Sequence, residues 1–163
     1  MKGQLSQEAI VEVAAEEFWN VCRGLEWVRI LHQLLGDFVG KPHVIQGDGG
    51  VGTIVKVSSP PGANYTKELY TKIDEEKRVK EVEVIEGGYK ELGFDLYRIR
   101  MEIIERDAKT SVVRSTVEFE IDDKLANVAL SSLKLEYFGL VAETVAEYLN
   151  AKKASTSQIF LKQ

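Results

Sequence analysis

The chain has 163 residues, 44% of them hydrophobic and 29% charged, the make-up of one soluble globular domain with a substantial core. Its 21 basic residues are scattered among 26 acidic ones for a formal net charge of −5, which argues against a partner bound through a phosphate backbone. The single cysteine excludes an internal disulfide, and no apolar run approaches the roughly 18 residues that span a bilayer.

The start, Met1 to Glu8, is too polar for a signal peptide, so the expectation is a cytoplasmic protein with neither nucleic-acid nor membrane partners. Leu5 to Val13 reads as a strand. Ala14 to Arg23 reads as a short helix with Phe18, Trp19 and Cys22 at helical spacing, and Gly24 breaks it. Cys22 is expected to be a buried, inert thiol, because neither His32 nor His43 is linked to it. Leu25 to Leu35 reads as a second helix, with Val28, Leu31 and Leu35 on one stripe and Gly36-Asp37 closing it.

After Lys41-Pro42 the pattern changes to strands. His43 to Gln46 and Thr53 to Ser58 flank the glycine-rich loop Gly47 to Gly52, and Pro60-Pro61-Gly62 reads as a turn. Tyr65 to Ile73, Arg78 to Glu86, Leu92 to Glu105 and Ser111 to Ile121 follow with hairpin-length connections, which predicts an antiparallel sheet. One long helix, about Lys124 to Lys153, carries an apolar stripe that includes Leu133, Tyr137, Val141 and Val145. Residues 154–163 are expected to be a frayed tail after a single domain spanning 1–153. The fold class is therefore α+β: a curved seven-stranded antiparallel sheet wrapped round a long C-terminal helix, with two short helices after the first strand. One helix cannot fill so curved a sheet, and the expected result is a large internal cavity that takes small molecules.

Strand parity narrows the view. In Arg78 to Glu86 the side-chain period of two points Lys80 the same way as Val82 and Val84. Such a lysine either snorkels at the rim of a core or lines a cavity, where a lowered pKa suits carbonyl chemistry. Tyr97, Ile99, Met101 and Ile103 share one strand face, and Val113, Ser115, Val117, Phe119 and Ile121 share another. Glu68 shares a face with Thr66 and Tyr70, but Leu69 and Ile73 are apolar on the opposite face, so spacing leaves the inward side open. The glycine loop is not a P-loop, because Thr53-Ile54 stands where Lys-Ser/Thr is required, and it reads as a glycine-built β-turn. No metal site is expected, since His32 and His43 lack ligand spacing.

Three segments, Gly47-Asp48-Gly49-Gly50-Val51-Gly52-Thr53-Ile54, then Glu86-Gly87-Gly88-Tyr89, then Leu92-Gly93, resemble the plant birch-pollen-allergen or pathogenesis-related class 10 family. Within it they look closest to the norcoclaurine-synthase and norbelladine-synthase branch. That resemblance implies a hydrophobic cavity between sheet and helix and a monomer or weak homodimer without cofactor. It also implies condensation of a small aromatic amine (dopamine or tyramine) with an aromatic aldehyde. The branch's catalytic lysine falls on Lys80 and its glutamate on Glu68. Its tyrosine falls on Thr66 with Tyr65 beside it, and its aspartate falls on Ile99. The implied catalytic set is Lys80, Glu68 and Tyr65; the implied ligand contacts are Thr66, Tyr70, Val82, Tyr97, Ile99, Met101, Tyr137 and Val141. With Ile99 in place of the aspartate, the reaction stops at the imine or closes one ring. The bland alternative for Lys80 and Glu68 is a structural ion pair at the cavity rim. The corresponding functional alternative is a carrier or storage protein for phytohormones, flavonoids or alkaloid intermediates. Abscisic-acid receptors share this fold, but their Ser-Gly-Leu-Pro-Ala gate is replaced here by Ser58-Ser59-Pro60-Pro61-Gly62.

Overall fold

The computed structural model describes residues 1–59 and 64–161. Strand β1 (Lys2–Val11) leads into helices α1 (Ala15–Cys22) and α2 (Glu26–Leu34). Strands β2 (Pro42–Gln46), β3 (Ile54–Ser59), β4 (Asn64–Asp74), β5 (Val79–Gly87), β6 (Phe94–Glu105) and β7 (Ser111–Ile121) follow. They pair with β1 in one antiparallel seven-stranded sheet of order β1-β7-β6-β5-β4-β3-β2. Helices α3 (Ala126–Leu130) and α4 (Glu136–Leu161) complete the chain. None of the helices is long and apolar enough to cross a membrane among the described residues. The turn expected at Pro60-Pro61-Gly62 lies outside the described residues.

The alternation read from β6 and β7 is the one the sheet uses. On the inner face lie Tyr97, Met101 and Ile103 of β6 and Val113, Ser115, Val117 and Phe119 of β7, all buried. On the outer face Arg100 pairs with Glu81 at 2.9 Å and with Glu118, and Arg114 pairs with Glu8 at 2.8 Å. Opposite charges thus face each other across neighbouring strands, the arrangement that favours one register.

The single long helix expected from Lys124 to Lys153 is two helices. Ser131 and Ser132 turn their hydroxyls back to the carbonyls of Val128 and Ala129, at 2.7 and 2.5 Å, and so compete with the helical backbone bonds. The chain then bends through Leu133 to Leu135 before α4 begins. At its far end α4 does not fray at Ala154 but continues through Leu161. Val141, Ala142, Val145, Ala146 and Leu149 are its buried stripe.

The core divides in two. One cluster packs α1, α2 and the middle of α4 against Tyr70, Met101, Ile103 and Val113. The other packs α3 against Val84, Phe94, Tyr97, Val117 and Phe119. Ile99 touches both, and the space between them is hollow. The glycine loop is a tight turn rather than an anion cradle: Gly49 N–H donates to Thr53 Oγ1 at 2.9 Å, and Gly47, Gly49 and Gly52 all have positive φ.

Gly87, at φ +74°, ends β5 where the β4 backbone crosses closest, and a Cβ there would sit 2.1 Å from the Tyr65 carbonyl oxygen. Gly87→Ala therefore combines a left-handed backbone penalty with a clash against main chain. A loss of about 3 kcal/mol in urea unfolding is expected. An unchanged midpoint would show that the β4–β5 approach is not constrained there.

Candidate active site

Register brings the inward residues of four strands into a grid. Tyr70 of β4 pairs with Val82 of β5, Val82 with Ile99 of β6, and Ile99 with Val117 of β7. One row further along, Lys80 pairs with Met101 and Met101 with Ser115. Glu68 pairs with Val84. The side of β4 that spacing left open is thereby decided: Thr66, Glu68 and Tyr70 point inward, and Lys67 and Tyr65 point out.

Two adjoining chambers lie over this grid. The inner one has a volume of about 230 Å³ and is lined by Tyr70, Lys80, Val82, Met101, Ser115 and Val141, with Trp27, Val28 and Leu31 of α2 as its far wall. The outer one, about 270 Å³, is lined by Thr66, Val84, Tyr89, Tyr97, Leu133 and Lys134. Phe38, Glu68, Ile99, Tyr137 and Phe138 border both. All eight side chains expected to contact a ligand therefore line one chamber or both. Glu68 is the only carboxylate lining either, among the described residues.

Lys80 is only 2% exposed, and its ammonium is held from three sides. Nζ donates to the carbonyl of Cys22 at 3.0 Å and to that of Gly24 at 3.2 Å. It also sits 4.1 Å from the centre of the Tyr70 ring, well within cation–π range. Cys22 is the last residue of α1, so its carbonyl is one of those a helix end leaves without a helical partner. The helix end is itself braced. Trp19 Nε1 donates to Glu75 Oε2 at 2.8 Å and Arg23 Nε to Glu75 Oε1 at 2.7 Å, tying α1 to the β4–β5 turn. An ammonium carries three N–H donors, so one is left for a ligand.

Burial pushes the Lys80 ammonium below the usual lysine range, with the charge of Glu68 opposing the shift. Burial pushes Glu68 above the usual carboxylate range, and the charge of Lys80 offsets part of this. Each group is thus moved toward neutrality, the tuning expected of acid–base partners in a dry site. The Tyr70 hydroxyl is buried without a partner among the described residues, and burial raises its pKa. Cys22 is fully buried, and burial raises its thiol pKa to about 11, so the inert reading of this residue holds. Among the described residues no three His, Cys, Asp or Glu side chains converge as metal ligands.

Tyr65 does not join the site. Its hydroxyl donates to Glu86 Oε2 at 2.8 Å on the outer face, and Lys56 lies 4.5 Å over its ring. The strand's period of two forces this: if Thr66 and Glu68 face in, Tyr65 faces out. Sequence reasoning missed Phe38, which sits in the irregular segment after α2 where no periodicity marks it. It borders both chambers while 68% exposed, at their mouth. It also missed Ser115 as a lining residue, although the alternation along β7 had already placed that side chain on the inner face.

Comparison with known proteins finds relatives over nearly the whole chain. Norbelladine synthase of Narcissus pseudonarcissus is 41% identical over 164 residues, covering 99% of this chain and 100% of that protein. S-norcoclaurine synthase 1 of Papaver somniferum is 33% identical over 94% of this chain and 68% of that protein. An X-ray structure of norcoclaurine synthase from Thalictrum flavum in complex with dopamine and hydroxybenzaldehyde superposes with a TM-score of 0.83. It is 25% identical and covers 93% of this chain and 88% of that one. Residues 1–152 match the pathogenesis-related protein Bet v 1 family, and the chain belongs to that family.

Proposed function

We propose that this protein condenses an arylethylamine with an aromatic aldehyde, with Lys80 as acid and Glu68 as base. The observation that carries the reading is the pairing of one buried ammonium with one half-buried carboxylate in an otherwise largely apolar hollow. The 41% identity to a norbelladine synthase supports the substrate class.

The chemistry follows from the positions. The amine nitrogen attacks the aldehyde carbon, and the carbonyl oxygen takes up a proton from Lys80 as the carbinolamine forms. Glu68 accepts the proton that the nitrogen releases. Glu68 returns that proton to the hydroxyl, water leaves as the C=N bond forms, and the neutral Lys80 amine recovers its proton from the iminium nitrogen. Each positioned proton transfer is worth about 10²–10⁴ in rate. Ring closure would need a further base for the aromatic proton. Ile99 stands at the partition between the chambers with an apolar side chain, and Glu68 is the only carboxylate available there among the described residues. The reaction this site supports best therefore ends at the open imine.

Incubation with tyramine or dopamine and a panel of benzaldehydes and arylacetaldehydes, followed by borohydride trapping and mass spectrometry, tests this directly. Enzyme-dependent secondary amine is expected for at least one pair; a rate equal to the protein-free background with every pair would overturn it. Lys80→Ala is expected to lower turnover about 10²–10⁴-fold while ligands still displace a bound dye. A carrier would show no such split, because its affinity does not depend on proton transfer.

The pH–rate profile should be a bell narrower than ordinary groups would produce. Its acid limb reports Glu68, raised by burial, and its alkaline limb reports Lys80, lowered by burial. Glu68→Gln should abolish the acid limb.

The same substitution carries a stability signature. Because the folded pKa of Glu68 is raised, its protonated form stabilises the fold fully below about 4.5, the ordinary value. That stabilisation is lost as pH rises through the folded value. Glu68→Gln should therefore melt at the same temperature as the parent near pH 4 and higher than it at pH 8. Equal melting at both values would mean that the carboxylate is not desolvated.

A further inference from the structure

Six polar side chains are buried in the described structure: Thr53, Lys80, Glu81, Ser111, Ser115 and Thr116. Five have partners within the protein. The Thr53 hydroxyl accepts from Gly49 N–H, and that of Ser111 donates to the Val13 carbonyl at 2.9 Å. The Thr116 hydroxyl meets that of Ser6 at 2.8 Å, Glu81 accepts from Arg100, and Lys80 is held as described. Ser115 is the exception. It is 2% exposed and lines the inner chamber, and its hydroxyl makes no hydrogen bond among the described residues. Nor is its oxygen one of the sealed, partnerless atoms, which are the hydroxyls of Tyr70 and Thr110. The area it retains therefore opens on the chamber.

Its place in the grid is informative. Lys80, Met101 and Ser115 form one row across β5, β6 and β7. Two strand spacings, about 10 Å, separate the backbones at the ends of that row. One end carries the ammonium and the other the free hydroxyl, with the apolar Met101 side chain between them. Val141 of α4 also lines the chamber. A benzene ring with its reactive arm at one end and an oxygen at the far end matches this pattern of polar, apolar and polar surface.

We infer that Ser115 is a specificity-determining residue, whose hydroxyl hydrogen-bonds a ring hydroxyl of the substrate in the inner chamber. The assignment rests on the condensation proposed above, and it deepens that reading by naming which ring substituent is recognised and by what. A chamber-wall hydroxyl without a protein partner discriminates strongly, because an analogue lacking the oxygen leaves that hydroxyl dry and unpaired. The hydroxyl can belong to the amine or to the aldehyde, and matched ligands distinguish the two.

The test is calorimetric binding to the full chain, with no turnover required. One pair of ligands is tyramine and 2-phenylethylamine; the other is 4-hydroxybenzaldehyde and benzaldehyde. Ser115→Ala is expected to weaken binding of the hydroxylated member of one pair about tenfold and to leave its unhydroxylated partner unchanged. Ser115→Thr, which keeps a hydroxyl, should restore the preference, and Ser115→Cys serves as a second variant that fills the same volume without a strong donor. Equal weakening of both members, or no weakening in either pair, would overturn the assignment. Absence of any condensation product with intact binding discrimination would overturn the enzyme reading and leave Ser115 as a ligand anchor.

Discussion

The structure turns on keeping one ammonium out of water. Lys80 sits at a place where an ordinary core would carry a valine, and an isolated buried charge of that kind is strongly disfavoured. The fold meets this with two backbone carbonyls at the α1–α2 junction and the face of the Tyr70 ring. Those supports come from distant parts of the chain, so α1, the break at Gly24, β4 and β5 must all be in place together. The Glu75 brace to Trp19 and Arg23 holds the helix end over the sheet from outside. What the two short helices do is thereby explained: they form a bracket whose open end grips the lysine and whose second member walls the inner chamber.

A second constraint is geometric. A seven-stranded sheet curls further than a single helix can fill, so the core separates into two clusters with a hollow between them. The break between α3 and α4 belongs to this arrangement, since α3 covers one cluster and α4 the other. Side chains at the seam, Ile99, Tyr137 and Phe138, face cavity on both sides. An enzyme built this way keeps its reacting groups dry without a moving domain. Dryness also tunes them: burial drives Lys80 and Glu68 toward their neutral forms and makes proton exchange with a substrate easier than it would be in water. Such tuning works against stability, because ionisable groups are held partly or wholly out of solvent. Ile99 gives the partition between the chambers an aliphatic wall and adds no further ionisable group to it.

Periodicity reached far into this protein. The alternation along β6 and β7, and the alignment of Lys80 with Val82 and Val84, follow from covalent geometry alone, because successive side chains on a strand must point to opposite faces. Those positions were legible before any coordinates. The inward face of β4 was not, since Leu69 on one side and Tyr70 on the other give both faces apolar character. Pairing of Glu68 with Val84, together with bulges on either side, decided it. The same decision moved Tyr65 out of the site. The interruption at Ser131 and Ser132 was hidden for a related reason: serine is tolerated in helices, and only the local backbone shows whether its hydroxyl turns back on a carbonyl.

By itself, then, the order of residues determined the class of fold, the faces of β5, β6 and β7 and the presence of a cation among valines, all of which depend on local, repeating geometry. Tertiary structure alone decided that this cation is gripped by the end of α1, that Glu68 shares its cavity, and that Ser115 is left without a partner among the described residues. These are relations between segments tens of residues apart. No local periodicity encodes them, because they depend on how strands register and where a helix end comes to rest.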